Sequence, residues 1–252
     1  MEVHHHTHTE SPPAGRTGKK WKHYFWEFLM LFLAVFAGFL AENQREHFVE
    51  KQREKQYIVS FAEDLVADTT EINARINDCD QYINAADSLT LLLESPDPNK
   101  SANNIYYFLR YVHRSRPFTV NDRTIVQLRN AGGMRLVSDK AVSDSMLSYY
   151  RAVDFLKWIF EEQIDLKRSL RALYSDLLYG KDFAKVTDDQ NRMVRTNEIL
   201  KLRPANEEVI NSFILLLENI KGINQGTKRR LYELKTQANT IRNFINKEYN
   251  LK

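Results

Sequence analysis

Between Tyr24 and Ala41 the chain carries a single charge, Glu27, in an otherwise apolar run ending "AVFAGFLA". As a helix this run is about 27 Å long, close to the hydrocarbon thickness of a bilayer. Trp21, Tyr24 and Trp26 at its start suit the aromatic belt of a membrane interface. From Phe28 to Ala41 every helical face is apolar, which a half-buried soluble helix does not need. A cleaved signal peptide shares the basic flank, and Val35 and Ala37 offer it a small-residue site. The apolar run continues past that site, however, and "AENQREHFVEKQREKQ" extends the helical pattern without a break. The reading is therefore an uncleaved signal-anchor helix over residues 21–41.

Orientation follows from the flanking cations. Arg16, Lys19, Lys20 and Lys22 precede the span, and Arg45, Lys51, Arg53 and Lys55 follow it. The counts tie, but the first group is denser and free of interleaved acids. The positive-inside rule then places the N-terminus in the cytoplasm and the C-terminal part in the periplasm. Within the span, Glu27, Leu31, Ala34, Gly38 and Ala41 share one helix face. Small residues on such a face let a second helix approach closely, and a carboxyl at its edge seeks a hydrogen-bond partner or snorkels to the interface. Homo-oligomerisation through this face is the expected use.

Residues 1–20 read as a disordered tail containing His4, His5, His6 and His8, which are chemically able to bind metal but are expected to be an accidental polar run. After the span, no Gly or Pro occurs until Pro96. Ile58, Leu65, Ile72, Cys79, Ala86 and Leu93 recur every seven residues, and Ala62, Thr69, Ile76, Ile83 and Thr90 form the expected second row. With Thr and Ala at so many of these positions, packing inside a bundle is favoured over an isolated coiled coil. Further helices are expected from Ser101 to about Arg114, in a short stretch after Asn121 or Asp122, from Ser138 or Asp139 towards Gly180, and from Ala205 to Tyr249, with a loop over 181–203. The predicted fold is all-α: one transmembrane helix continuing into a long helix of an extramembrane antiparallel helical bundle, residues 42–252.

Composition narrows function by exclusion. The 36 basic and 33 acidic residues nearly cancel, which argues against a nucleic-acid binder. A single cysteine, Cys79, forbids an internal disulfide and a Cys-cluster metal site. Beyond the span only His47 and His113 remain, neither in the Glu-x-x-His spacing of a carboxylate-bridged metal bundle. No catalytic residue, cofactor or metal ligand is assigned. Tyr149, Tyr150, Phe155, Trp158 and Phe160 read as core or interface.

The segment "FTVNDRTIVQLRNAGG" supplies Phe118, Asn121, Asp122, Thr124, Gly132 and Gly133, which read as caps and turn residues of a chain reversal or as a partner-binding segment. This block and the span ending "GFLAENQREHFVEKQREKQY" resemble a family of uncharacterised single-pass helical membrane proteins of Gram-negative bacteria. Its members carry a short basic N-terminus, a Glu-containing span and an F-x-x-N-D-x-T segment. The resemblance covers residues 19–250, departs from the family at the His-rich tail and in the Phe-rich span, and implies topology and location but no activity. The expectation is a membrane-anchored scaffold or accessory protein without catalysis, with the bilayer and other proteins as partners. A ligand- or envelope-sensing module and a membrane-tethered enzyme are the alternatives.

Overall fold

The long glycine-free stretch forms a helix, α1, from Thr17 to Leu93 in the computed structural model, which describes residues 17–130 and 132–251. Residues 1–16, with His4, His5, His6 and His8, lie outside the described residues, and residues 17–20 of the expected tail belong to α1 instead. The chain divides into two units, Met1–Arg53 and Glu54–Lys252. In the first, α1 contains an 18-residue window of mean hydropathy 1.9, none of it buried, which is long and apolar enough to cross a membrane. Phe28, Phe32 and Phe36 stack along it at 6.3 and 6.0 Å.

The second unit is built on three long helices: the distal part of α1, α4 (Lys140–Ala172) and α7 (Glu207–Glu248). Their interior divides into two apolar clusters. One joins Ile58, Phe61 and Leu65 of α1 to Met146, Tyr149 and Val153 of α4 and to Leu234 and Ile241 of α7. The other joins Ala86 and Leu89 to Leu170 and to Phe213, Leu217 and Ile220. From these pairings α7 runs antiparallel to α1 and α4, while α1 and α4 point the same way. Two co-directional helices need a return connection. It is made by α2 (Ala102–Val112), an irregular segment over residues 114–122, and α3 (Arg123–Asn130). Among the described residues there is no strand, only two isolated bridges, Leu178 with Leu202 and Thr187 with Met193.

Asp139 caps α4 by accepting from the amides of Ala141 (2.7 Å) and Val142 (3.1 Å), and Asn206 caps α7 through Val209 N–H. α4 stops at Ala172 rather than near Gly180. Tyr174 follows in a short turn, α5 (Tyr174–Leu177), where its hydroxyl donates to Leu109 O (2.6 Å). Another short helix, α6 (Gly180–Ala184), leads into the loop, which is tied to α2 by Asn103: its amide donates to Thr196 O and Glu198 O and accepts from Leu200 N–H. α7 runs unbroken through Gly222 and Gly226.

The first heptad row of α1 is buried throughout. The second row is not the expected Ala62, Thr69, Ile76, Ile83 and Thr90, of which only Ile76 is buried. It lies one residue earlier, at Glu54, Phe61, Asp68, Arg75, Tyr82 and Leu89. Charged residues at three of these six positions hide the row from a hydrophobic count, and each is kept inside by a partner.

Candidate functional site

The charged row of α1 holds the return connection. Asp68 is buried and accepts from Asn121 N–H (2.7 Å) and from the Tyr149 hydroxyl (2.8 Å), with the Asn121 amide at 3.4 Å. Burial raises its carboxyl above the usual range, and these hydrogen bonds oppose the rise. One turn earlier, Asp64 accepts from the Thr124 hydroxyl at 2.5 Å, with Arg123 at 3.8 Å. Near the unit's N-terminal end, Glu54 accepts from Ser138 N–H (2.7 Å) and from the Tyr249 hydroxyl (2.7 Å). Three carboxylates thus fix the segment from Asn121 to Ser138 and the C-terminus of α7.

Most residues of the F-x-x-N-D-x-T segment accordingly face the bundle. Asn121 and Thr124 direct hydrogen bonds at α1, and Tyr150 donates to Asn121 O (3.0 Å). Phe118 is buried and stacks on Phe160, ring centroids 5.2 Å apart. Asp122 opens α3 through its carbonyl, which accepts from Val126 N–H (2.9 Å), and its carboxylate lies 4.0 Å from Lys157. Gly132 has φ +61°, and a Cβ on the buried Gly133 would meet Leu128 Cδ2 at 3.2 Å. The left-handed backbone at Gly132 favours glycine there, and Gly133 packs closely against Leu128 in the turn after α3. On α1, Glu27, Leu31, Ala34, Gly38 and Ala41 are all exposed, and a Cβ on Gly38 would meet nothing within 4 Å.

A polar layer separates the two apolar clusters. Arg75 is buried and ion-paired with Asp78 (2.8 Å) and Glu71 (3.0 Å). Gln163 donates to Thr227 (2.8 Å), and Asn224 donates to Ile220 O (2.7 Å). Lys167, 2% exposed, donates to Arg114 O (2.7 Å) and sits 3.6 Å from the centroid of the Tyr82 ring. Burial pulls its ammonium down to about 8, and burial pushes the Cys79 thiol up to about 12. His113 lies against the rings of Tyr174 and Phe183, where burial and the arginines beside it lower its pKa to about 4. Cys79 lies in the heptad row that the sequence marks, whereas Arg75, Gln163, Lys167 and Asn224 do not announce themselves, because each has the residue type of a solvated helix face.

The outer surface carries one further feature. The groove between α1 and α4 is covered by the return connection. α1 and α7 are bridged by Lys221 to Asp87 (2.6 Å) and Lys228 to Asp80 (2.5 Å). The groove between α4 and α7, about 340 Å³ in volume, is open. Phe155 and Trp158 stack there at 5.8 Å and are 46% and 53% exposed. Ile223 and Gly226 form its floor, and Arg229 and Arg230 its rim. The aromatic run of α4 thus splits, with Tyr149 and Tyr150 in the core and Phe155 and Trp158 outside.

Comparison of the chain with protein-family models, with curated proteins and with solved structures returns no match.

Proposed function

We propose that this chain is a single-pass membrane-anchored interaction module, a scaffold or accessory subunit rather than an enzyme, of the kind its resemblance to the Gram-negative membrane family implies. The observation that carries the reading is the open groove between α4 and α7. Exposed aromatic residues beside arginine have the composition of protein–protein hot spots, and here they occupy an open groove between two helices. The anchor is the Tyr24–Ala41 segment, with the N-terminus cytoplasmic and the helical unit periplasmic. Self-association through Glu27, Leu31, Ala34, Gly38 and Ala41 adds a contact within the bilayer. The F-x-x-N-D-x-T segment serves the fold: Asn121 and Thr124 are spent on α1, and Phe118 on Phe160.

Affinity purification from detergent-solubilised native membranes, comparing the wild-type chain with Trp158→Ala, tests this. The chain should stay in the membrane fraction after alkaline carbonate washing. A defined co-purifying protein should be lost in Trp158→Ala, with the far-UV circular dichroism unchanged. Identical co-purifying proteins from both forms, or release of the chain by carbonate, would refute the reading. Ligand sensing is a second reading, favoured by a small cavity of about 30 Å³ that Arg75, Lys167 and Asn224 of the polar layer line.

A further inference from the structure

Between the return connection and α4 lies a cavity of about 30 Å³. Its inner wall is made by Arg75, Cys79, Gln163, Lys167 and Asn224, and it opens beside the exposed Ser115, Arg116 and Ile164. Three cations, Arg75, Arg116 and Lys167, face one carboxylate, Asp78. That carboxylate is already engaged by Arg75 (2.8 Å) and lies 3.9 Å from Arg116. Glu71 is drawn to Arg75 as well. Lys167 donates to Arg114 O and lies over the Tyr82 ring, both neutral partners, and has no carboxylate within 4.0 Å among the described residues, although buried ammonium groups are ordinarily paired with one. Cys79 and Tyr82 stay neutral at physiological pH, because burial raises both, and so supply no countercharge.

The wall has a second unmet need. Asn224 is completely buried, and its Oδ1 has no hydrogen-bond partner. The other end of its amide is committed to Ile220 O, so the oxygen is the free end. A group that satisfies this wall must offer an acceptor with negative charge to the cations and a donor to Asn224. Chloride and formate lack the donor, and in a space of about 30 Å³ tetrahedral phosphate and sulfate are bulkier than a planar anion of one carbon and three oxygens.

We propose that this cavity binds a small monoanion that carries one hydrogen-bond donor, the chemical class of bicarbonate. The anionic oxygens pair with Lys167 and Arg75, the O–H donates to Asn224 Oδ1, and Arg116 stands at the entrance. The site is independent of the α4/α7 groove, so it stands or falls apart from the interaction reading.

The test uses the full chain in detergent micelles at fixed pH and ionic strength, with sodium bicarbonate, formate and chloride as probes. Bicarbonate should raise the unfolding temperature in a saturable manner and broaden the carbon NMR line of ¹³C-labelled bicarbonate, while formate and chloride do neither. Arg116→Gln lies on the exposed rim, does not threaten the core, and should weaken bicarbonate binding by about tenfold, the loss of one charge-assisted contact. Asn224→Leu should abolish the preference for bicarbonate over formate. A response to chloride equal to that to bicarbonate overturns the proposal. So does bicarbonate binding unchanged in Arg116→Gln and Asn224→Leu, and so does a cavity that takes only water, seen as no response to any of the three salts.

Discussion

Replacing Asp68 by Ala should destabilise the helical unit by about 2–4 kcal/mol, a figure that follows from what the carboxylate holds. Its loss strands two donors in the interior, Asn121 N–H and the Tyr149 hydroxyl, and each orphaned buried group costs about 1–3 kcal/mol. The sum is reduced because Asp68 itself is penalised for its charge, as its raised pKa records. Tyr149→Phe removes one of the stranded donors. The double variant should therefore be less destabilised than the sum of the singles, by about 1–2 kcal/mol for residues in direct contact. Urea unfolding of the full chain in detergent, followed by far-UV circular dichroism, measures all four corners of this cycle. Additive effects, or an Asp68→Ala variant within about 0.5 kcal/mol of wild type as expected for a surface change, would show that the charged row of α1 does not hold the return connection.

Lys167 gives a pH signature. The folded chain releases its proton at about pH 8 and the unfolded chain near 10.5, so between those values the unfolded state binds more protons and stability rises with pH. From pH 7 to 9 the gain should be about 1 kcal/mol. Above pH 9 Cys79, held protonated to about 12, works in the opposite direction. Chemical denaturation across this range should show the rise in wild type and not in Lys167→Met. In the membrane segment, Gly38→Ile fills open space at the centre of the small-residue face. It should reduce crosslinked dimer in membranes while leaving the helical unit folded, as judged by circular dichroism. Protease added to intact spheroplasts should degrade the helical unit; cleavage only after lysis would reverse the orientation.

Apolar periodicity and helix punctuation made much of the architecture legible. The helix following Ser138-Asp139 starts where its cap residue stands, and the reversal after α3 falls at Gly132-Gly133. α4 was harder to delimit, because neither Gly nor Pro marks its end at Ala172. The break is made by tertiary contacts of Tyr174 and Leu177, which a local pattern does not contain. The second buried row of α1 was illegible for a related reason. Glu54, Asp68 and Arg75 look solvent-facing until Ser138, Asn121, Tyr149 and Asp78 are brought to them from distant or neighbouring turns. The polar layer of Gln163, Lys167, Asn224 and Thr227 was hidden in the same way. Phe155 and Trp158 carried the opposite ambiguity, since an aromatic at helical spacing reads alike whether it faces the core or a groove.

The interaction reading is tested most directly by a photo-crosslinking amino acid placed at position 158 of the full chain in native membranes. The α4/α7 groove predicts a crosslinked adduct of one defined mass from position 158. A probe at Val66, an exposed apolar position on α1 outside the groove, should give none. No adduct from position 158, or the same adducts from both positions, would contradict a partner seated on Phe155 and Trp158.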